Sequence, residues 1–113
     1  MAKNIAVVIQ EDPRKTHRPV EALRIALGLA SGSHTTSVVL LHESIRLLTE
    51  PMDDIIDVDL LETYLPSIRH LNLPFILNDA VDRSPLCRHF HIRYETDEAI
   101  SALLRSMDCA LVF

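Results

Sequence analysis

An apolar strand, a polar loop, an amphipathic helix and a second apolar strand follow one another between Ile5 and Leu41. The first strand reads Ile5-Ala6-Val7-Val8-Ile9 and has no polar position. A strand that is apolar on both faces is covered on both faces, which places it centrally in a parallel sheet. The loop Gln10 to His17 then breaks the pattern with charge and Pro13. The helix expected next, from Arg18 to Ser31, has Pro19 in its first turn, where a missing N–H costs nothing. Glu21 also lies in that turn, where the helix dipole favours a negative charge. Val20, Leu23, Leu27 and Ala30 form one apolar stripe, widened by Ala26 and Leu29. Gly32 is the expected left-handed stop. The second strand, 36–41, ends in Val38-Val39-Leu40-Leu41. Two strands joined through a helix run parallel, so this unit alone sets the fold class.

The rest of the chain repeats the alternation. A short helix is expected from Ser44 to Leu48, ahead of Pro51, followed by the acidic stretch Asp53 to Asp59. Asp57 is a candidate cap for a helix over 58–71 that buries Leu60, Leu61, Tyr64, Leu65, Ile68 and Leu71. Pro66 inside that pattern predicts a break near Tyr64. Leu73 to Leu77 reads as a third strand and His89 to Tyr94, alternating apolar and polar, as a fourth. Thr96 caps a last helix over 97–107 that buries Ala99, Ile100, Leu103 and Leu104, and Cys109 to Phe113 forms the final strand. The expectation is one domain over 1–113, a three-layer α/β/α, Rossmann-like fold around a mostly parallel five-stranded sheet.

Composition narrows the function. Apolar residues make up 48% of the chain and aromatic ones only 4%, so the core is aliphatic. A net charge of -5 argues against nucleic acid and anionic membranes as partners, because nothing would neutralise phosphates as a patch. No apolar run is long enough to span a bilayer. The start, Met1-Ala2-Lys3-Asn4, lacks the apolar core of a secretory signal. Two cysteines, Cys87 and Cys109, make no disulfide scaffold, and a reduced, cytoplasmic setting is expected.

In sheets of this class ligands bind beyond the carboxyl ends of the strands. The expected pocket residues at or beside those ends are His17, Arg18, His42, Asn78, Asp79 and Arg83, joined by His89 next to Cys87. The chain has two glycines, Gly28 and Gly32, and neither lies between the first strand and the first helix. A glycine-rich dinucleotide or Walker loop is therefore missing, and no cofactor is expected. Arg14, Lys15, His17 and Arg18 near a helix start could meet phosphate, or be a solvated loop. Cys87 is the candidate catalytic thiol, because cations such as Arg88 and His89 beside it raise the thiolate fraction. The plainer reading is a small buried hydrophobe. Cys109, opening an apolar strand, is expected in the core. His89 and His91 on one strand face could chelate a metal, with a third ligand from His17, His42, Asp79 or Cys87; a structural or interface role competes, and no metal set is assigned.

Three segments together resemble the DsrE/DsrF-like family, small α/β proteins of sulfur relay and their relatives. They are Ile5 to Ile9, Arg18 to Ala30, and Ser37 to Leu48 with its Leu40-Leu41-His42-Glu43-Ser44 passage; the ending Met107 to Phe113 is similar as well. The resemblance implies a layered Rossmann-like fold, assembly into dimers, trimers or hexamers, and sulfur transfer involving a sulfur-carrier protein. It also implies a persulfide-carrying cysteine at the exit of the third strand, where this chain has Asn78-Asp79. The functions expected are thus sulfur relay, with Cys87 as the thiolate, or small-ligand binding at the strand ends. The alternatives are a non-catalytic interaction or scaffold subunit and a histidine-based metal module.

Overall fold

The computed structural model describes residues 3–86 and 89–113. Five strands form one sheet: β1 (Asn4–Ile9), β2 (Thr35–Leu40), β3 (Phe75–Asn78), β4 (Ile92–Glu95) and β5 (Cys109–Val112). Their order is β4-β3-β2-β1-β5, and every pairing is parallel. The helices are α1 (Arg18–Ser31), α2 (Val58–His70) and α3 (Asp97–Ser106), with a 3-10 helix over His42–Leu48. The α/β class and the five-stranded parallel sheet follow the pattern of the sequence.

Two layers of unequal weight cover the sheet. On one face, Val20, Leu23 and Ala26 of α1 and Leu61, Leu65 and Ile68 of α2 pack on Val7, Ile9, Val38, Leu40, Phe75 and Leu77. On the other, Ile100 of α3, with Leu103 and Leu104, packs on Val8, Val39 and Ile76. The second layer consists of α3, because the chain crosses only once on this side, from β4 at one edge to β5 at the other. Val112 pairs in register with Val8 and shares its face, yet it is 54% exposed. One ten-residue helix covers the middle of the sheet and leaves the β5 edge bare. Cys109 is exposed on that edge and is not a core residue; its strand has a neighbour on one side only.

Several local expectations are corrected. The α2 helix runs through Pro66 without a break. Pro66 and Glu62, whose carbonyl loses its helical partner, are both exposed, a setting in which solvent can satisfy that carbonyl. Asp57 makes no side-chain cap and sits at φ 63°, in the left-handed region. Leu60 and Leu71 are 47% and 42% exposed, because the buried stripe of α2 is the narrower Leu61, Leu65 and Ile68. The fourth strand starts at Ile92, so His89 and His91 precede it. Phe90 between them turns inward, edge-on to Phe75 and beneath the guanidinium of Arg69.

The end of α1 also differs from expectation. Gly32 has an ordinary φ of -83°, and Ser33 takes the left-handed position at φ 72°. The N–H of His34 reaches the Leu29 carbonyl and that of Ser33 the Ala30 carbonyl, which is the Schellman arrangement with serine where glycine is usual. A side chain in this region costs about 1 kcal/mol, partly offset by glycine's greater freedom when unfolded. Ser33→Gly should therefore stabilise the protein by about 0.5–1 kcal/mol in chemical denaturation. Gly32→Ala should change stability by less than about 1 kcal/mol, since its Cβ would meet nothing nearer than the Gly28 carbonyl at 3.4 Å. The reverse ranking would place the left-handed residue at Gly32.

Candidate functional site

Where β2 and β3 end, the backbone is shaped by two polar side chains. Buried Ser44 donates to the carbonyl of Ile9 (2.7 Å) or of Leu41 (2.6 Å), tying the ends of β1 and β2 together. His42 lies within this tie and is held at φ 55°. Left-handed backbone outside glycine, when it occurs at a strand exit, persists because its surroundings over-determine it. At the end of β3, Asn78 accepts from the N–H of Ala80 at 2.8 Å, an Asx turn that ends the strand. Its amide then donates to the carboxylate of Asp97, the first residue of α3. Thr96 caps the same helix through the N–H of Ala99 at 3.1 Å, as the sequence predicts.

Between these elements lies a cavity of about 500 Å³. Leu40, Leu41 and Ile45 form one wall, and Ile100 and Leu104 of α3 the facing one. Val81 adds to the apolar lining, and the polar groups are His42, Asn78, Asp97 and Ser101. This is the place that the sheet geometry specifies, beyond the carboxyl ends of parallel strands and beside the helix that crosses to the far edge.

Of the pocket residues expected from sequence, His42 and Asn78 line this cavity. Asp79 follows Asn78 but is directed into strand pairing by its backbone, donating to the carbonyl of Glu95. Arg83 stacks its guanidinium 3.6 Å from the ring centre of Tyr94. His17 stands exposed at the start of α1, and neither it nor Arg18 lines the cavity. His89 lines a separate recess of about 270 Å³ with Arg69, Phe90 and Glu62. His91 has its Nδ1 3.5 Å from the Asn72 carbonyl. Among the described residues, no three His, Cys, Asp or Glu side chains gather closely enough to hold a metal. The proposed thiolate Cys87 and its neighbour Arg88 lie outside the described residues. Asp97 and Ser101 are the polar cavity residues that sequence reasoning missed. Asp97 was legible only as a helix-start acid, and Ser101 carries no pattern of its own.

The two arginines of the cationic stretch leading into α1 are paired with nearby carboxylates. Arg14 bonds both oxygens of Asp12, through Nε at 3.0 Å and Nη2 at 2.8 Å, and reaches Glu43 at 3.4 Å. Arg18 lies 3.8 Å from Glu11. These pairings commit Arg14 and Arg18, and the Arg14 pair links the β1 exit to the 3-10 helix that bears Glu43.

No protein-family model matches the chain, and no curated protein matches it in sequence. Its fold is that of the YchN protein from E. coli, whose crystal structure superposes with a TM-score of 0.78 over 100% of both chains at 17% identity. At that identity the likeness shows the fold alone, a layered α/β arrangement around a parallel five-stranded sheet. No helix among the described residues is long and apolar enough to cross a membrane.

The Asp12–Arg14 lock has a signature in acid. Hydrogen bonding from the Arg14 side chain pulls the Asp12 carboxyl from its ordinary 3.8 to about 2. The folded value lies below the ordinary one, so the pair stabilises the fold fully above about pH 4 and ceases to do so as pH falls through about 2. The stability gap between the wild type and Asp12→Asn should be present at about pH 5 and shrink toward zero by about pH 2 in denaturant titrations. A gap independent of pH would show that the carboxylate's charge is not what holds the loop.

Proposed function

We propose that this protein binds a small organic ligand in the cavity at the carboxyl ends of β2 and β3. The observation that carries the reading is the pairing of an apolar chamber with side chains already oriented by the protein. Asn78 is fixed by its Asx turn and in turn orients Asp97, so a ligand meets groups that need not be reorganised. A volume of about 500 Å³ is within the range of small-molecule sites.

Sulfur relay is the other function implied by the family resemblance, and the geometry supports it less. The exit of β3 offers an amide at Asn78, which has no nucleophilic sulfur. Cys109 opens β5 opposite Ile5, at the other end of the parallel sheet from the cavity. A thiol there does not reach a ligand held beside Asn78. Binding therefore accounts for the described residues without a covalent step.

Ser101 gives a clean way to close the chamber. It is an exposed α3 residue at the lining, so Ser101→Phe fills the mouth without displacing the core. A library of small amphiphilic fragments, screened by amide chemical shifts on the full chain, should perturb 40–45, 78–81 and 97–104 together. Ser101→Phe should weaken those hits by about tenfold or more while shifting stability by no more than about 0.5 kcal/mol. Hits that map elsewhere, such as the open recess between α1 and α2 near Leu27 and Leu71, would overturn the assignment.

A further inference from the structure

We infer that the ligand of this cavity is an organic cation, an ammonium group on an apolar body. This rests on the reading of the cavity as a ligand site and adds the sign of the charge. The chamber's apolar walls come from both sides, from Leu41 and Ile45 on the 3-10 helix side and from Ile100 and Leu104 on α3. A hydrocarbon body fits between them. Among the described lining residues the formal negative charge is Asp97, and no lysine or arginine is one of them.

Nearby guanidinium groups do not change that balance. Arg14 and Arg46 both bond Glu43, at 3.4 and 3.3 Å, and so are committed outside the chamber. Arg83 is stacked on Tyr94. Asp97 itself has no arginine or lysine partner among the described ion pairs; its carboxylate accepts from neutral Asn78. The bond orients the carboxylate and leaves its charge uncompensated. The positive end of the α3 dipole, which would oppose a cation, is offset by Glu98 in the first turn and by the Thr96 cap.

A further polar group suits a donor ligand. Ser101 carries a hydroxyl that can accept. A carboxylate or phosphate ligand would instead lie against Asp97 in a partly apolar chamber whose described lining has no lysine or arginine to receive it. Like-charge contact of that kind is strongly disfavoured.

The test uses three probes with one hydrocarbon body and different ends: hexylamine, hexan-1-ol and hexanoate, titrated near pH 7 into the full chain and followed by amide shifts. Hexylamine should perturb Leu41, His42, Asn78 and Ser101 saturably and bind about tenfold tighter than hexanoate, with hexanol between. Asp97→Asn keeps the hydrogen bond to Asn78 and removes the charge, so it should abolish the preference for the amine. Glu98→Gln, which removes a charge from the same helix turn but not from the chamber lining, should leave the preference intact. If the probes bind in the chamber with no preference for the amine, or if hexanoate binds best, the cation inference falls and the ligand site stands. If Glu98→Gln erases the preference as fully as Asp97→Asn, the selectivity is a general field effect and the inference falls too. If no probe reaches the chamber, both fall.

Discussion

Everything in this structure depends on the burial of β1 and β2 from both sides. Val7, Ile9, Val38 and Leu40 face α1 and α2, while Val8 and Val39 face α3. Such strands have no solvent face, so they demand cover on each side and neighbours on each edge. The strand order supplies the neighbours, with β3 and β4 beyond β2 and β5 beyond β1. Each fully buried aliphatic side chain contributes about 1.5–3 kcal/mol, and the central strands concentrate many of them.

The two covers are unequal, and the functional proposal grows from that inequality. Two long helices and the 3-10 helix seal one face, whereas among the described residues α3 lies alone on the other. A single helix that crosses from β4 to β5 cannot close the gap above the ends of β2 and β3. The gap becomes a chamber because the 3-10 helix rises from the other side, carrying His42 and Ile45 to its rim. Asn78 and Asp97 join the two sides with a hydrogen bond at that level. The site is thus a product of topology first and of side chains second.

Much of this was legible in the residues. Ile5 to Ile9 announces a doubly covered strand, Pro19 and Glu21 announce a helix start, and Thr96 announces its cap. His42 and Asn78 could be placed at the ligand end because strand exits are readable from where apolar runs stop. Asp97 and Ser101 could not, since only the tertiary crossing of α3 brings them beside His42. Local propensity misled where solvent can repair the defect, as at Pro66, or where serine adopted glycine's conformation, as at Ser33. It also misled at His89, where the inward turn of Phe90 delays the strand to Ile92. Cys109 looked like a core residue because its strand is apolar, but the strand lies at an edge that α3 does not cover.

The unequal cover predicts unequal protection. Native-state hydrogen exchange on the full chain reads it directly, since elements docked by few buried contacts open below the global unfolding energy. Amides of Val7, Ile9, Val39 and Leu40 should exchange only through global unfolding. Those of Leu103 and Leu104 in α3 should exchange through a smaller opening, lower by about 1–2 kcal/mol or more. Equal protection of α3 and the β1–β2 pair would contradict the account, because it would mean that the second face is sealed as firmly as the first.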